Sequence, residues 1–253
     1  MRRNERYVLF VLGVAVAVAV AGALLLPGFY FVGLTLVPEK PQATTFLSIP
    51  EVVRAALWAD LSGDGPIRLK PITPWSFVQL RICRALASRS GQAKREAKEA
   101  CLRQHAGIVA ADDLAKIHVA KYGFAVGGLA QVATAAWVTR NWTGKMTLDE
   151  LASQGDFGHG WRGIDQAALG YLGKHADILA AADAALLAAL IRRPQAADHD
   201  PWCRPTEALD LRNHVLRRME ENGALTKEAL SSALQAPLGI LDRRCAQAAP
   251  ARD

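Results

Sequence analysis

The stretch that decides the fold runs from Phe157 to Thr226. It reads FGHGWRGIDQAALGYLGK (157–174), LAAADAALLAAL (179–190), RRPQAADHDPWCRP (192–205) and RNHVLRRMEENGALT (212–226). The second block is rich in Ala and Leu, and Asp183 is its one charged residue. It is too short to cross a bilayer, so it is typical of a helix buried in a protein core. The last block has the amphipathic spacing of a surface helix that ends at Gly223.

The chain on either side of this stretch is also dominated by helical patterns. Apolar residues recur at helical spacing from Val52 onward, and no run alternates convincingly for more than four residues. The prolines and glycines between 63 and 74 break the chain into a loop. We therefore predict an all-α domain over residues 51–240, preceded by a linker over 32–50 and followed by a polar tail over 241–253.

The N-terminus carries an apolar segment, Tyr7 to Phe31, without a charged residue. It exceeds the ~20 residues that a membrane-spanning helix needs. Arg2, Arg3 and Arg6 precede it in the short segment 1–6, and positive charge of this kind stays on the cytoplasmic side. The pattern predicts a single-pass signal anchor over 7–31 with the main domain outside the cytoplasm. A cleaved signal peptide is the alternative, since Ala19, Ala21 and Ala23 lie inside the run.

The four cysteines, Cys83, Cys101, Cys203 and Cys245, form no Cys-x-x-Cys pair and have no metal-ligand spacing with the six histidines. An even number in an exported domain favours two disulfides. Four cysteines allow three connectivities; of these we favour the local one, which joins Cys83 to Cys101 and Cys203 to Cys245. Four buried free thiols are the alternative. The net charge of +6 favours anionic lipid-phosphate ligands, whereas the chain lacks the interleaved Arg and aromatic pattern of a nucleic-acid-binding surface.

The order of these blocks resembles the C-terminal half of the peptidoglycan glycosyltransferase, or transglycosylase, domain of bifunctional penicillin-binding proteins. The match is best from Gln131 to Thr226, and it includes Tyr171-Leu172-Gly173-Lys174 and Arg212-Asn213. The resemblance implies a lysozyme-like helical fold behind one transmembrane helix, in the bacterial inner membrane and facing the periplasm. It also implies lipid-linked disaccharide-pentapeptide precursor, or the glycan made from it, as the ligand. Residues 84–104 have no counterpart and are read as an insertion.

The residues that the family uses for chemistry are largely replaced here. The position of the general base, a glutamate, falls on Ala59, so the neighbouring Asp60 is the candidate catalytic residue, with Asp64 as a second possibility. The family's Arg-Lys-x-x-Glu motif falls on Gly127 to Gln131, where Gln131 stands in place of the glutamate. An amide neither accepts a proton nor neutralises a metal ion.

The family's phosphate-binding loop falls on Ala106 to Ile117, of which Gly107 and Lys116 match. By resemblance, Lys116, Gln131 and Arg140 are the candidate substrate-binding residues. No residue is predicted to bind a resident metal, and a divalent ion (Mg or Mn) is expected only if the protein is active. We predict Trp137, Trp142 and Trp161 to be packing residues or interfacial anchors rather than a sugar platform.

Two functions are consistent with this pattern. One is a transglycosylase-like protein of cell-wall biogenesis that acts on the precursor with weak or lost catalysis. The other is a non-catalytic binding or scaffold partner of cell-wall synthases. A membrane-tethered structural protein with neither property is a third. Loss of the base, the amide pair and the Arg-Lys-Glu set together favours a relative that no longer catalyses transfer.

Overall fold

The computed structural model describes residues 28–43, 49–73, 75–76, 79–80, 82–83, 100–124, 128–191, 200–242 and 245. Most of the predicted anchor, up to residue 27, lies outside this part of the chain, as do residues 84–99 of the predicted insertion. Among the described residues, none of the helices is both long and apolar enough to span a bilayer.

Helices build the described part of the chain, as predicted. They are α1 (Glu51–Asp60), α2 (Ala106–Ala120), α3 (Leu129–Asn141), α4 (Gly144–Gln154), α5 (Ile164–Leu172), α6 (Ala181–Leu190), α7 (Pro205–Glu221) and α8 (Lys227–Gln235). Residues 28–36 are also helical, and a single 3-10 turn covers Ala176–Ile178. The described ranges contain no strand, only an isolated bridge between Asp156 and Arg162.

Helix α6 forms the centre of the core. All of its residues are buried except Ala181, which is partly exposed, because its Ala and Leu side chains give it no polar face. It packs against α1 and α7. The carboxylate of Asp183 is satisfied at the helix start, where Oδ2 accepts from Lys174 Nζ (2.8 Å) and from the Ala180 amide (3.2 Å). The prediction of a core helix over this block is confirmed.

Helix α2 begins earlier than the sequence pattern indicates. The pattern predicts a helix from Asp112 to Lys121, whereas α2 starts at Ala106. Residues 106–111, AGIVAA, are buried without exception, so they show none of the polar alternation that marks a helix with one wet face. By contrast, the sequence pattern predicts a helix from Ile164 to Leu172, which are the bounds of α5. Thr226 is a typical N-cap residue, and it caps α8, with Oγ1 accepting from the Ala229 amide (3.2 Å).

Both predicted disulfides are present. Cys83 is bonded to Cys101, with Cα atoms 5.8 Å apart, and Cys203 to Cys245, with Cα atoms 4.7 Å apart. The second disulfide ties residue 245 to the turn that precedes α7. Trp202 lies beside it and donates from Nε1 to the Leu241 carbonyl (2.8 Å). The start of the C-terminal tail is therefore fixed to the domain.

His118 gives the fold a predictable sensitivity to acid. Its Nε2 donates to the Glu39 carbonyl (2.7 Å), and burial lowers its pKa below the ordinary 6.5, with nearby Lys121 acting in the same direction. Below about pH 6.5 the unfolded chain binds a proton that the folded chain resists, so stability falls as the pH falls. We expect His118→Gln, which keeps a donor but does not titrate, to flatten this fall. Urea unfolding of both proteins between pH 7.5 and 5 measures it, and parallel curves would contradict the burial of a neutral His118.

Candidate functional site

A cleft of about 330 Å³ opens between the loop after α1 and the start of α2. We call it the basic cleft. It is lined by Trp58, Asp64, Pro66, Arg68, Lys70, Arg103, Gln104, Ala106, Gly107 and Ile108. Its lining residues come from two stretches of the chain, 58–70 and 103–108, so the tertiary fold creates it.

The first wall is the loop that comes after α1. The indole of Trp58 donates from Nε1 to the Gly65 carbonyl (3.1 Å). The backbone of Gly63 packs directly against the same indole. A Cβ at this position would be 2.2 Å from the ring, so a larger residue would clash with Trp58. Asn222 of α7 holds the loop from the other side, donating to the Gly63 carbonyl (2.8 Å). These contacts fix the loop that presents Asp64 to the cleft.

The second wall is the non-helical segment 67–72, which we call the strap. Arg68 and Lys70 stand two residues apart on it, the spacing that places side chains on one side of an extended chain. Both are exposed and both line the cleft. The strap passes so close to α2 that a Cβ on Gly107 would be 2.7 Å from the Arg68 carbonyl oxygen. Gly107, which the resemblance singles out, is therefore required by backbone contact.

Arg140 holds the strap in place. One guanidinium nitrogen donates to the Ile72 carbonyl (2.9 Å) and the other to the Ala136 carbonyl (2.9 Å). The guanidinium also lies over the Tyr30 ring, 5.2 Å from its centroid, a cation–π distance. Thr139 also contacts the strap, because its Oγ1 accepts a hydrogen bond from the Ile72 amide (3.0 Å). Arg140 does not line the cleft; it positions the strap that does.

The electrostatics of the cleft favour an anion. Arg68, Lys70 and Arg103 line it against one carboxylate, Asp64. The N-terminal end of α2 adjoins it at Ala106 and Gly107, and the positive end of a helix dipole stabilises negative charge. Arginine forks bind phosphate oxygens in a bidentate manner. The arrangement suits a phosphate or pyrophosphate group.

The two positions predicted to hold or replace the catalytic base lie away from the cleft wall. Asp60 is the last residue of α1 and is partly buried, and it is not among the lining residues. Ala59 is 1% exposed and packs in the core. Of the two loop carboxylates considered, Asp64 is the one that the structure brings to the cleft.

Lys116 and Gln131 both contact Asp112, at the packing of α2 against α3. We call the buried contact of Gln131 with Asp112 the Asp112–Gln131 pair. The amide nitrogen of Gln131 donates to Asp112 Oδ1 (2.6 Å). The exposed fractions of Gln131 and Asp112 are 3% and 4%. Lys116 Nζ lies 3.6 Å from Asp112 Oδ2 and donates to Asp113 Oδ1 (2.6 Å). Two of the predicted substrate-binding residues are thus engaged with acids of their own domain.

Four residues of the cleft were not predicted from the sequence, namely Trp58, Arg68, Lys70 and Arg103. A signal for two of them exists, since Arg68 and Lys70 alternate in a short segment bounded by Pro66 and Pro71. That pattern indicates an extended stretch with one basic side. Nothing in the sequence indicates that Arg103 lies opposite it.

The tryptophans pack as predicted. Trp161 lies on Gly170, where a Cβ would be 2.4 Å from the indole, and its ring centroid is 4.8 Å from that of Tyr171. Trp137 and Trp142 contact each other edge to face at 6.2 Å and pack against the core. Burial raises the pKa of Tyr171, whose hydroxyl donates to the Phe157 carbonyl (2.9 Å). These rings stabilise the domain from within.

Comparison with known proteins shows that part of the chain is similar to one protein family. The family model described as "Transglycosylase" matches residues 125–220. Penicillin-binding protein 1A of Aquifex aeolicus is 38% identical over 103 residues, which cover 41% of this chain and 14% of that protein. Penicillin-binding protein 1C of Escherichia coli is 35% identical over 94 residues, 37% of this chain and 12% of that protein. The matched region is thus a small fraction of these relatives.

The crystal structure of penicillin-binding protein 1A from Haemophilus influenzae is similar at a TM-score of 0.40 and 15% identity, covering 79% of this chain and 18% of that chain. The family-model match lies where the resemblance is strongest, in the segment from α3 to α7. The chain therefore contains a segment, residues 125–220, that matches the transglycosylase family model, and part of the chain is similar in sequence to penicillin-binding proteins.

Proposed function

We propose that this protein is a membrane-anchored, periplasmic relative of peptidoglycan glycosyltransferases that binds lipid-linked disaccharide-pentapeptide precursor through its pyrophosphate, with weak or lost catalysis. The observation that carries the proposal is the basic cleft, where Arg68, Lys70 and Arg103 converge beside the start of α2. The transglycosylase family segment supports the choice of substrate class.

The cleft suits a pyrophosphate in charge and in size. Three cations against one carboxylate leave a surplus of positive charge for a ligand with at least two negative charges. Two of the cations are arginines, which hold phosphate oxygens in a fixed fork, and Lys70 adds a mobile point charge. The volume of about 330 Å³ is at the lower end of small-ligand sites, so we expect the headgroup rather than the whole precursor to fill it.

The carboxylates near the cleft are poorly placed for transfer. A transglycosylase needs a general base within hydrogen-bonding reach of the attacking hydroxyl. Asp64 lines the cleft but is exposed, and Asp112 is committed to Gln131 and Lys116. A displacement on the order of 1 Å costs about 100-fold in rate. We infer binding without efficient turnover, and a role for Mg or Mn only if turnover is found.

The membrane part of the proposal rests on the apolar segment 7–31 and on the exposed side chains at its C-terminal end. Phe29, Phe31 and Val32 are exposed on the helix over 28–36, although exposed aromatic residues are disfavoured in water. A bilayer around this helix would cover them. The same position would hold the basic cleft near the lipid from which a lipid-linked precursor extends.

The test is a binding assay with the full chain in detergent and a fluorescent lipid-linked precursor. We expect Arg68→Glu/Lys70→Glu to weaken binding at least about 100-fold, because two charge-assisted contacts worth about 1.5 kcal/mol or more each become repulsive. The matched control is Arg217→Glu/Lys227→Glu, two exposed cations that do not line the cleft. Equal weakening in both variants would show non-specific attraction and sink the assignment of the cleft.

A polymerisation assay separates the remaining functions. Glycan made by the wild type and lost in Asp64→Asn would show an active enzyme and overturn the loss of catalysis. Capture of a purified cell-wall synthase without precursor binding would favour the scaffold function instead. The proposal expects precursor binding and little or no polymer.

A further inference from the structure

A second chemical site lies at the entry to α2. Cys83 and Cys101 are disulfide-bonded, and His105 comes four residues after Cys101. A ring nitrogen of His105 and both sulfur atoms all lie within 4.8 Å of one another. Cys83 and His105 are buried, and Cys101 is partly exposed. In the described residues this is the one cluster of His, Cys, Asp and Glu with such mutual distances.

These three side chains are the ligand types that zinc prefers. In a tetrahedral site, Zn–S bonds of about 2.3 Å and Zn–N bonds of about 2.0–2.1 Å place the ligand atoms about 3.5–3.8 Å apart. The two sulfurs are bonded to each other in the structure, so reduction must let them separate to this distance, while His105 already lies within 4.8 Å of both. Cys101 and His105 stand four residues apart, the spacing that faces two ligands the same way on a helical turn.

The imidazole of His105 is already oriented by its backbone. Its Nδ1 lies 2.9 Å from the Cys101 carbonyl oxygen. A carbonyl oxygen only accepts, so Nδ1 carries the hydrogen and Nε2 keeps the lone pair in the neutral ring. Metal-binding histidines in proteins are usually held by this type of bond from the other ring nitrogen.

We propose that reduction of the Cys83–Cys101 disulfide creates a zinc site made of both thiolates and His105. A dithiol reductant forms its own disulfide and transfers two hydrogen atoms to the cysteine sulfurs. Zn²⁺ then replaces the two thiol protons, which are released, and His105 donates its lone pair. Water takes the fourth position. With the disulfide intact, neither sulfur is a thiolate, and the site does not bind zinc.

The site adjoins the basic cleft through the chain itself. Arg103 and Gln104, which line the cleft, lie between Cys101 and His105. Exchange of the disulfide for a metal bridge keeps Cys83 joined to Cys101 at the start of this turn, whereas reduction without metal leaves them unlinked. The zinc site does not depend on what the cleft binds, so the two proposals fail independently.

The other cysteine pair provides the matched control. The full chain in detergent is reduced with a phosphine, which takes the oxidising equivalents as phosphine oxide, and titrated with Zn²⁺ against a chromophoric chelator. We expect one zinc per chain in the reduced wild type and in Cys203→Ser/Cys245→Ser. We expect none in the oxidised protein or in Cys83→Ser/Cys101→Ser.

His105→Gln keeps the disulfide and tests the third ligand. Loss of partners that merely orient a ligand weakens metal affinity about 10–100-fold, so loss of His105 itself should weaken it by at least about tenfold. Co²⁺ in place of Zn²⁺ should give the thiolate-to-cobalt absorption of a two-sulfur tetrahedral site in the wild type. Zinc bound equally by oxidised protein, or lost with Cys203 and Cys245, would overturn the proposal.

Discussion

Replacing Gln131 by glutamate should lower the free energy of unfolding by about 3–5 kcal/mol near neutral pH. The amide nitrogen of Gln131 lies 2.6 Å from Asp112 Oδ1, and the exposed fractions of the two residues are 3% and 4%. Glutamate puts a second carboxylate at that distance, and two buried like charges cannot both stay ionised. Lys116 offsets part of this repulsion, but it is shared with Asp113.

The pH dependence of the variant identifies the cause. Proximity to Asp112 raises the pKa of the new carboxyl in the folded state, so the folded protein favours its protonated form. The pKa of glutamate in the unfolded chain is about 4.3. Below that pH the variant keeps its free energy of unfolding, and as the pH rises above it the free energy of unfolding falls. Urea unfolding at pH 7.5 and pH 5 should show the larger loss at pH 7.5. An equal loss at both would indicate steric damage rather than charge.

Two further variants complete the experiment. Asp112→Asn/Gln131→Glu exchanges the amide and the carboxylate, so it should recover most of the stability that Gln131→Glu loses. Gln235→Glu makes the same chemical change at an exposed position and should stay within about 0.5 kcal/mol of the wild type. A wild-type-like Gln131→Glu would mean that the Asp112–Gln131 pair does not exist as described.

This pair also bears on the proposed loss of catalysis. The resemblance places one family glutamate at Gln131, where the side chain now joins two helices. It places the other at Ala59, which is 1% exposed in the core. Restoring either acid alone puts a carboxylate into packing that has adapted to its absence. We therefore expect neither single reversion to produce glycan polymer.

The helices were accessible from sequence because they depend on local pattern. The Ala and Leu block predicts the core helix α6, and Thr226 predicts the start of α8. The two disulfides span 18 and 42 residues, so they are not local contacts. They could be predicted because each cysteine is bonded to the next cysteine along the chain.

The basic cleft was not accessible in the same way. Arg68 and Arg103 are 35 positions apart and meet because the strap rests on Gly107. The assignment of Arg140 to phosphate came from its place in the resemblance, whereas its guanidinium is bonded to the backbone of Ala136 and Ile72. Side-chain roles of this kind depend on which helices become neighbours, and a single sequence does not state that.

Arg212→Met should destabilise the protein by about 3 kcal/mol or more and release α8. Arg212 is 1% exposed, and burial lowers its pKa. Its guanidinium donates to the carbonyls of Leu234 (3.3 Å), Ala236 (2.7 Å) and Pro237 (3.1 Å). These groups lie at the end of α8, where helix carbonyls have no partner within the helix.

The size of this effect depends on the groups that the substitution leaves behind. Replacing a buried ion pair by apolar residues is often neutral, because both charged partners leave together. Here the acceptors stay, namely three backbone carbonyls and Asn213 Oδ1. An acceptor left without a partner costs about 1–3 kcal/mol when it is buried, and these carbonyls are partly buried. Methionine keeps most of the length of the side chain. The decrease in the free energy of unfolding therefore measures the lost hydrogen bonds more than the creation of a cavity.

Hydrogen exchange distinguishes this cause from general damage. We expect faster exchange over 226–242 in Arg212→Met, together with a lower urea midpoint. Arg217→Met, on the exposed side of the same helix, should change neither. Arg212→Lys keeps the charge but lacks the planar fork, so it can satisfy fewer carbonyls at once and should recover only part of the loss. A lysine variant as stable as the wild type would show that charge, rather than the fork, fastens α8 to α7.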